Sequence, residues 1–171
     1  MAERLLPRNL PEMFAYALAM ERDATKRFAE LERYMREAGL DHIADEFESI
    51  GREEREQYEL LALGTQGRNL PEIQEWEYAW HYLGPQQNWK PRPPRSAREA
   101  LMLALASERR TENFYADVAE HVADDAVSAF AAEMAADERR HVNRLELLLR
   151  REPESVFVED EDASVGAAEK P

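Results

Sequence analysis

Four long segments of this chain carry an apolar stripe at helical spacing, and each stripe is broken near its middle by a glutamate. The first segment runs from about Pro11 to Ala38, with Phe14, Leu18, Glu21, Phe28 and Met35 on one face. The second runs from Asp41 to about Leu63 and carries Ile43, Phe47, Ile50, Glu54, Gln57 and Leu61. A third starts at Ser96 with Leu101, Leu105, Glu108, Tyr115 and Val122. The fourth runs from Asp124 or Asp125 to near Arg151, with Val127, Phe130, Met134, Glu138, His141 and Leu145. Pro11 suits a first helical turn, Asp41 an N-cap, Ser96 to Glu99 a capping box, and Gly39 and Gly64 helix stops.

Short links join the first segment to the second and the third to the fourth, so each pair predicts an antiparallel hairpin. Between the hairpins lies a connector over 64–95, long enough to run the length of a bundle and leave helices two and three parallel. The predicted fold is therefore all-α: a four-helix bundle over 11–151, after a lead of 1–10 and before an acidic, disordered tail of 152–171. Within the connector, Pro71 to Leu83 predicts a short helix with Ile73, Trp76, Trp80 and Leu83 on one face, either a lid packed on the bundle or an aromatic patch facing a substrate or partner. The segment Asn-Leu-Pro-Glu occurs at Asn9 and again at Asn69, which reads as a recurring helix start.

The hairpins are copies of one another. A shift of 84 positions takes Ile50, Glu54, Gln57 and Leu61 onto Met134, Glu138, His141 and Leu145. A shift of 87 takes Glu21 onto Glu108 and Phe28 onto Tyr115. The acidic interruptions thus fall at one level of the bundle.

Four carboxylates meeting in a core cannot stay there uncompensated. An unpaired buried charge costs several kcal/mol, against a total stability of about 5–15 kcal/mol. The acids can protonate, pair with buried Arg or Lys, or bind cations. No stripe carries Arg or Lys beside these positions, and two divalent cations would neutralise four carboxylates. One Glu from each of two helices, plus Glu-x-x-His from the others, is the ligand arrangement of di-metal carboxylate bundles. The candidate metal ligands are Glu21, Glu54, Glu108, Glu138 and His141. Gln57 is a weak candidate, and Glu112, one turn past Glu108, is an extra one; its first-half counterpart is Thr25. Oxygen donors with imidazole suit iron or manganese, and also zinc. His42, His81 and His121 read as surface or capping residues, and Tyr115 as a core tyrosine that could alternatively hydrogen-bond a ligand.

Composition closes other routes. The chain has no cysteine, which excludes disulfides, thiolate metal sites and iron–sulfur clusters. A formal charge of −14 argues against nucleic-acid or anionic-membrane partners. The tail supplies part of that charge, with seven acids against Lys170. No stretch reaches the roughly 20 apolar residues of a membrane span, and the start MAERLLPRNLPE lacks the apolar core of a secretion signal. The expected compartment is the cytoplasm.

The segments around Glu21 (Ala-Met-Glu-Arg-Asp-Ala-Thr-Lys-Arg-Phe), Glu54 (Glu-Glu-Arg-Glu-Gln), Glu108 (Ala-Ser-Glu-Arg-Arg-Thr-Glu-Asn-Phe-Tyr) and Glu138 (Asp-Glu-Arg-Arg-His) resemble the ligand helices of the rubrerythrin branch of the ferritin-like superfamily. The resemblance covers about 11–150 apart from much of the connector. It implies a ferritin-like bundle and a non-haem di-iron centre that oxidises Fe(II) with oxygen or peroxide, in iron handling or oxidative-stress defence. Carried over by position, Glu54 and Glu138 would bridge the two irons, Glu21 and Glu108 would be terminal, and His141 would bind one iron; no catalytic residue beyond the ligands is implied.

Two departures stand out. Rubrerythrins proper carry a cysteine-ligated rubredoxin module, so here electrons must come from Fe(II) or a separate donor. Gln57 stands where the second histidine would be, which predicts weaker binding of the iron near Glu21. A homo-oligomer, a dimer first, is expected for this family. Two other functions fit the same residues: a di-iron hydroxylase of a hydrophobic substrate, and a degenerate metal-binding scaffold without catalysis.

Overall fold

The computed structural model describes residues 6–73 and 93–153. These residues form four helices: α1 (Leu10–Glu37), α2 (Asp41–Gly64), α3 (Ala97–His121) and α4 (Asp125–Arg151). Among the described residues there is no strand, and no helix is long and apolar enough to cross a membrane. The Trp-bearing part of the connector, His81 and the tail beyond Pro153 lie outside the described residues.

Local chemistry sets the helix ends. The Asn9 side chain accepts from Glu12 N, and Ser96 Oγ accepts from Glu99 N. In both places the glutamate reaches back past the cap, accepting from Arg8 N at 2.9 Å and from Arg95 N at 2.6 Å. The expected capping box at Ser96 is thus modified, because Glu99 bonds the residue before the cap. The hairpin repeat extends to these ends. Asp41 is not an N-cap: it opens α2 as the first helical residue, after a Leu40 that makes no side-chain cap. There its charge faces the positive end of the helix dipole. The second Asn-Leu-Pro-Glu copy is not helical through Ile73.

α1 ends on Gly39, which adopts φ +73. Gly39 N donates to Arg36 O and Leu40 N to Met35 O, the paired bonds of a Schellman turn that folds the chain straight back. Within each hairpin the helices approach closely, and between hairpins more loosely. Gly51 makes the α1–α2 approach: a Cβ there would lie 3.0 Å from Phe28 Cβ.

Contacts between the hairpins fix the topology. Along α1 and α3, Tyr16 meets Phe114 and Arg27 meets Glu108, so rising numbers on one helix meet falling numbers on the other. α1 is antiparallel to both α2 and α3, which leaves α2 and α3 parallel, as a crossover connection requires.

The core divides into two apolar clusters. One holds Phe28, Met35, Phe47, Ile50, Leu101 and Leu145; the other holds Met13, Met20, Phe114, Val118, Val127 and Met134. The glutamates lie between them. Burial around α1 is broader than one stripe: Met13, Ala17 and Met20 are fully enclosed, while Phe14 and Leu18 are half-buried. Phe14 instead packs edge-on against Phe130 at 5.2 Å. The last turns of α2 contribute least, with Leu60 and Leu63 71% and 68% exposed.

Candidate metal centre

Each helix delivers its stripe glutamate to the interior. Glu21, Glu54, Glu108 and Glu138 are all buried, and His141 is 5% exposed. Ligand atoms of Glu54, Glu108, Glu138 and His141 all lie within 4.8 Å of one another. Glu21 stands beside this group, where its Oε1 accepts from the Tyr115 hydroxyl at 2.9 Å.

Buried polar atoms are normally hydrogen-bonded, and here several are not. Both oxygens of Glu54, both of Glu108, Glu21 Oε2 and His141 Nδ1 have no hydrogen-bond partner among the described residues. His141 Nδ1 lies 2.7 Å from Glu54 Oε1 and 3.5 Å from Glu108 Oε2, ion-pair contacts whose angles do not make hydrogen bonds. The other ring nitrogen, Nε2, faces Glu53 Oε2 at 3.1 Å. An outer carboxylate on one nitrogen leaves the inward nitrogen as the electron-pair donor, the usual posture of a metal-binding histidine. Unbonded carboxylate oxygens converging with such an imidazole fit a divalent cation.

Electrostatics at the cluster are strained in the same sense. Burial, with the neighbouring carboxylates adding to it, holds the Glu21 and Glu138 carboxyls well above the usual range. Burial also pushes Glu54 upward, but His141, Glu21 and Arg27 outweigh it and leave Glu54 below its ordinary value. Burial alone would lower His141; Glu108 and Glu54 override this and raise it to about 11. Protons therefore carry part of the compensation when no cation is bound.

Arg27 carries another part, and the stripes gave no sign of it. It lies next to Phe28, off the stripe, yet its Nη2 reaches to 3.9 Å from Glu108 Oε1. The stripes themselves carry no Arg or Lys beside the acids, as read from the sequence, but a long arginine bends in from the flank. With this fixed positive charge present, two divalent cations would over-neutralise four carboxylates by one.

Gln57 and Glu112 are engaged elsewhere. Gln57 Nε2 donates to Asp137 Oδ2 at 2.9 Å. Glu112 pairs with Arg139 at 2.6 Å and is not among the residues whose ligand atoms converge. His42 pairs with Glu152 and His121 with the carbonyl of Asp117, as surface histidines do. Tyr115 is both core residue and hydrogen-bond donor.

Glu53 and Asp137 were not foreseen as site residues. Each directly precedes a stripe glutamate and matches the other under the shift of 84. Glu53 of α2 faces His141 of α4, and Asp137 of α4 faces Gln57 of α2. The doubled acids Glu53-Glu54 and Asp137-Glu138 were the available signal. Arg144 holds Glu53 at 3.1 Å, and Arg140 holds Asp137 at 2.6 Å.

The family model described as Rubrerythrin matches residues 12–149. Among solved structures, an uncharacterised conserved protein from Magnetospirillum magnetotacticum MS-1 superposes with a TM-score of 0.74 at 25% identity, covering 86% of this chain and 97% of that one. No curated protein matches. With its bundle, its buried carboxylate–histidine cluster and a family match spanning nearly all of both hairpins, the chain belongs to the rubrerythrin family.

Proposed function

We propose that this protein binds iron at Glu21, Glu54, Glu108, Glu138 and His141 and oxidises Fe(II) with oxygen or peroxide, serving iron handling or oxidative-stress defence. One observation carries the reading: Glu54, Glu108, Glu138 and His141 converge in the core beside a buried Glu21, and the oxygens of Glu54 and Glu108, Glu21 Oε2 and His141 Nδ1 lack hydrogen bonds. Family membership supports iron over other divalent metals. Bound iron supplies the redox step, one electron per Fe(II) oxidised.

The chain's own residues do the rest. The two apolar clusters keep bulk water from either end of the site. Glu53 orients His141, and Tyr115 orients Glu21. No cysteine is present to carry electrons, so Fe(II) itself or a separate donor supplies them.

Anaerobic titration of metal-stripped protein with Fe(II), followed by oxygen or peroxide, tests the reading. Saturable binding and then growth of near-ultraviolet ferric absorption are expected. Failure to bind iron would remove it.

A further inference from the structure

We propose that the two halves of this centre are unequal, so that the protein holds one divalent cation tightly, on Glu54, Glu108, Glu138 and His141, while the position beside Glu21 and Gln57 fills only weakly. The inference rests on the metal-centre reading above and adds to it a count and an order of filling.

The internal repeat makes the comparison rigorous, since each residue around one position has a counterpart around the other. Three of the differences between counterparts bear on the ligand atoms or their charge, and two of them withdraw ligand atoms from the same side. The first is nitrogen. His141 offers Nδ1 inward because Glu53 takes its Nε2. Gln57 is held in the corresponding way by Asp137, which accepts from its amide nitrogen. A carboxylate accepts only from the NH2 group, so the amide orientation is fixed, and the only other atom Gln57 can offer is a neutral carbonyl oxygen. An imidazole is the better donor for divalent first-row metals.

The second difference is a hydroxyl. Tyr115 of α3 donates to Glu21 Oε1 of α1. Its counterpart across the repeat is Phe28, which has no hydroxyl to give Glu108. Accordingly both oxygens of Glu108 lack a hydrogen bond, whereas Glu21 keeps only Oε2. The third difference is Arg27, whose counterpart is Phe114; it stands 3.9 Å from Glu108, so it bears on the count rather than on which position fills first, because its charge lowers the total cation charge the four carboxylates need. Geometry agrees with the count. The atoms that lie within 4.8 Å of one another belong to the His141 position, and Glu21 is not among them.

The test is a titration of the full, metal-stripped chain with Mn(II) under anaerobic conditions, counting free ion by electron paramagnetic resonance. One tight equivalent is expected, with any second at least roughly 10-fold weaker, the scale on which an altered donor environment acts. The bound ion should give a single-ion spectrum. In Gln57→His combined with Tyr115→Phe, which supplies the nitrogen and releases Glu21, a second tight equivalent and a spin-coupled spectrum are expected. Two equivalents of equal affinity in the unaltered protein would overturn the inequality while leaving the metal centre intact. A double variant that keeps native helicity yet still binds one ion would overturn it as well. No Mn(II) or Fe(II) bound at all would overturn the metal-centre reading itself, a separate and distinguishable result.

Discussion

The first and second hairpins share a plan down to their caps, and they part company at the centre. Arg8, Asn9 and Glu12 repeat as Arg95, Ser96 and Glu99, with the same backbone bonds. Both hairpins bring one glutamate per helix to the middle, and both post an outer acid against the opposite hairpin. Yet the second has His141 where the first has Gln57, and the first has Phe28 where the second has Tyr115. A duplicated scaffold can thus keep its packing while its donor atoms diverge. Packing depends on volume and periodicity, whereas coordination depends on single atoms.

The sharpest way to break this comparison is to remove matched residues. His141→Ala should lower Mn(II) or Fe(II) affinity by more than the roughly 100-fold upper range for an outer partner, while Gln57→Ala should change the tight ion little. Equilibrium titration of both variants reads the difference, and equal losses would show the halves to be alike. The outer acids come next. Glu53→Ala should cost roughly 10–100-fold in affinity by releasing His141, whereas Asp137→Ala should leave the tight ion in place. A reversed order would mean that Asp137, not Glu53, supports the binding position.

A third contrast lies between metal-free and metal-loaded protein as pH changes. Glu21, Glu138 and His141 all have folded pKa values above their ordinary ones of 4.5, 4.5 and 6.5. The folded metal-free chain therefore holds more protons than the unfolded one, so its stability falls as pH rises. His141 contributes fully below pH 6.5 and loses that contribution toward about 11. Glu54 acts oppositely, but only as pH falls below its ordinary 4.5. Melting curves of stripped protein should shift downward between about pH 6.5 and 9. Metal affinity should rise over the same interval because binding displaces protons. Glu138→Gln should flatten the melting trend.

The smallest expected effect concerns the helix approach. Gly51→Ala places a Cβ against Phe28, while the matching position in the second hairpin already holds Ala135. Overpacking, partly offset by better helix propensity, should destabilise by about 1 kcal/mol, or roughly 2–4 °C in Tm for a chain of this size. Ala135→Ser at the matching, less enclosed site should move Tm less, by calorimetry.

Much of this was legible beforehand. The 3.6-residue period gave four helices, and the glutamates that break their stripes, Glu21, Glu54, Glu108 and Glu138, are all buried. What stayed hidden were contacts made from the flanks. Arg27, Glu53 and Asp137 lie off the stripes, and periodicity tells which face turns inward without telling which neighbour stands opposite. Phe14 and Leu18 were misjudged for a related reason. One stripe describes a helix packed on one side, but the first half of α1 is enclosed on several. Asp41 failed as a cap because a good capping residue was present one place too late, and Leu40 took the position.

The acidic layer also acts as an alignment key for the whole bundle. Each helix carries its glutamate between two greasy blocks, so sliding any helix by one turn would drive a carboxylate against Phe28, Phe47 or Phe114 and strand its former partners. Slipped assemblies that hydrocarbon alone would tolerate are thereby penalised, much as one polar residue sets the stagger of a coiled coil. The same residues that invite a cation make the chain choose a single way to zip together.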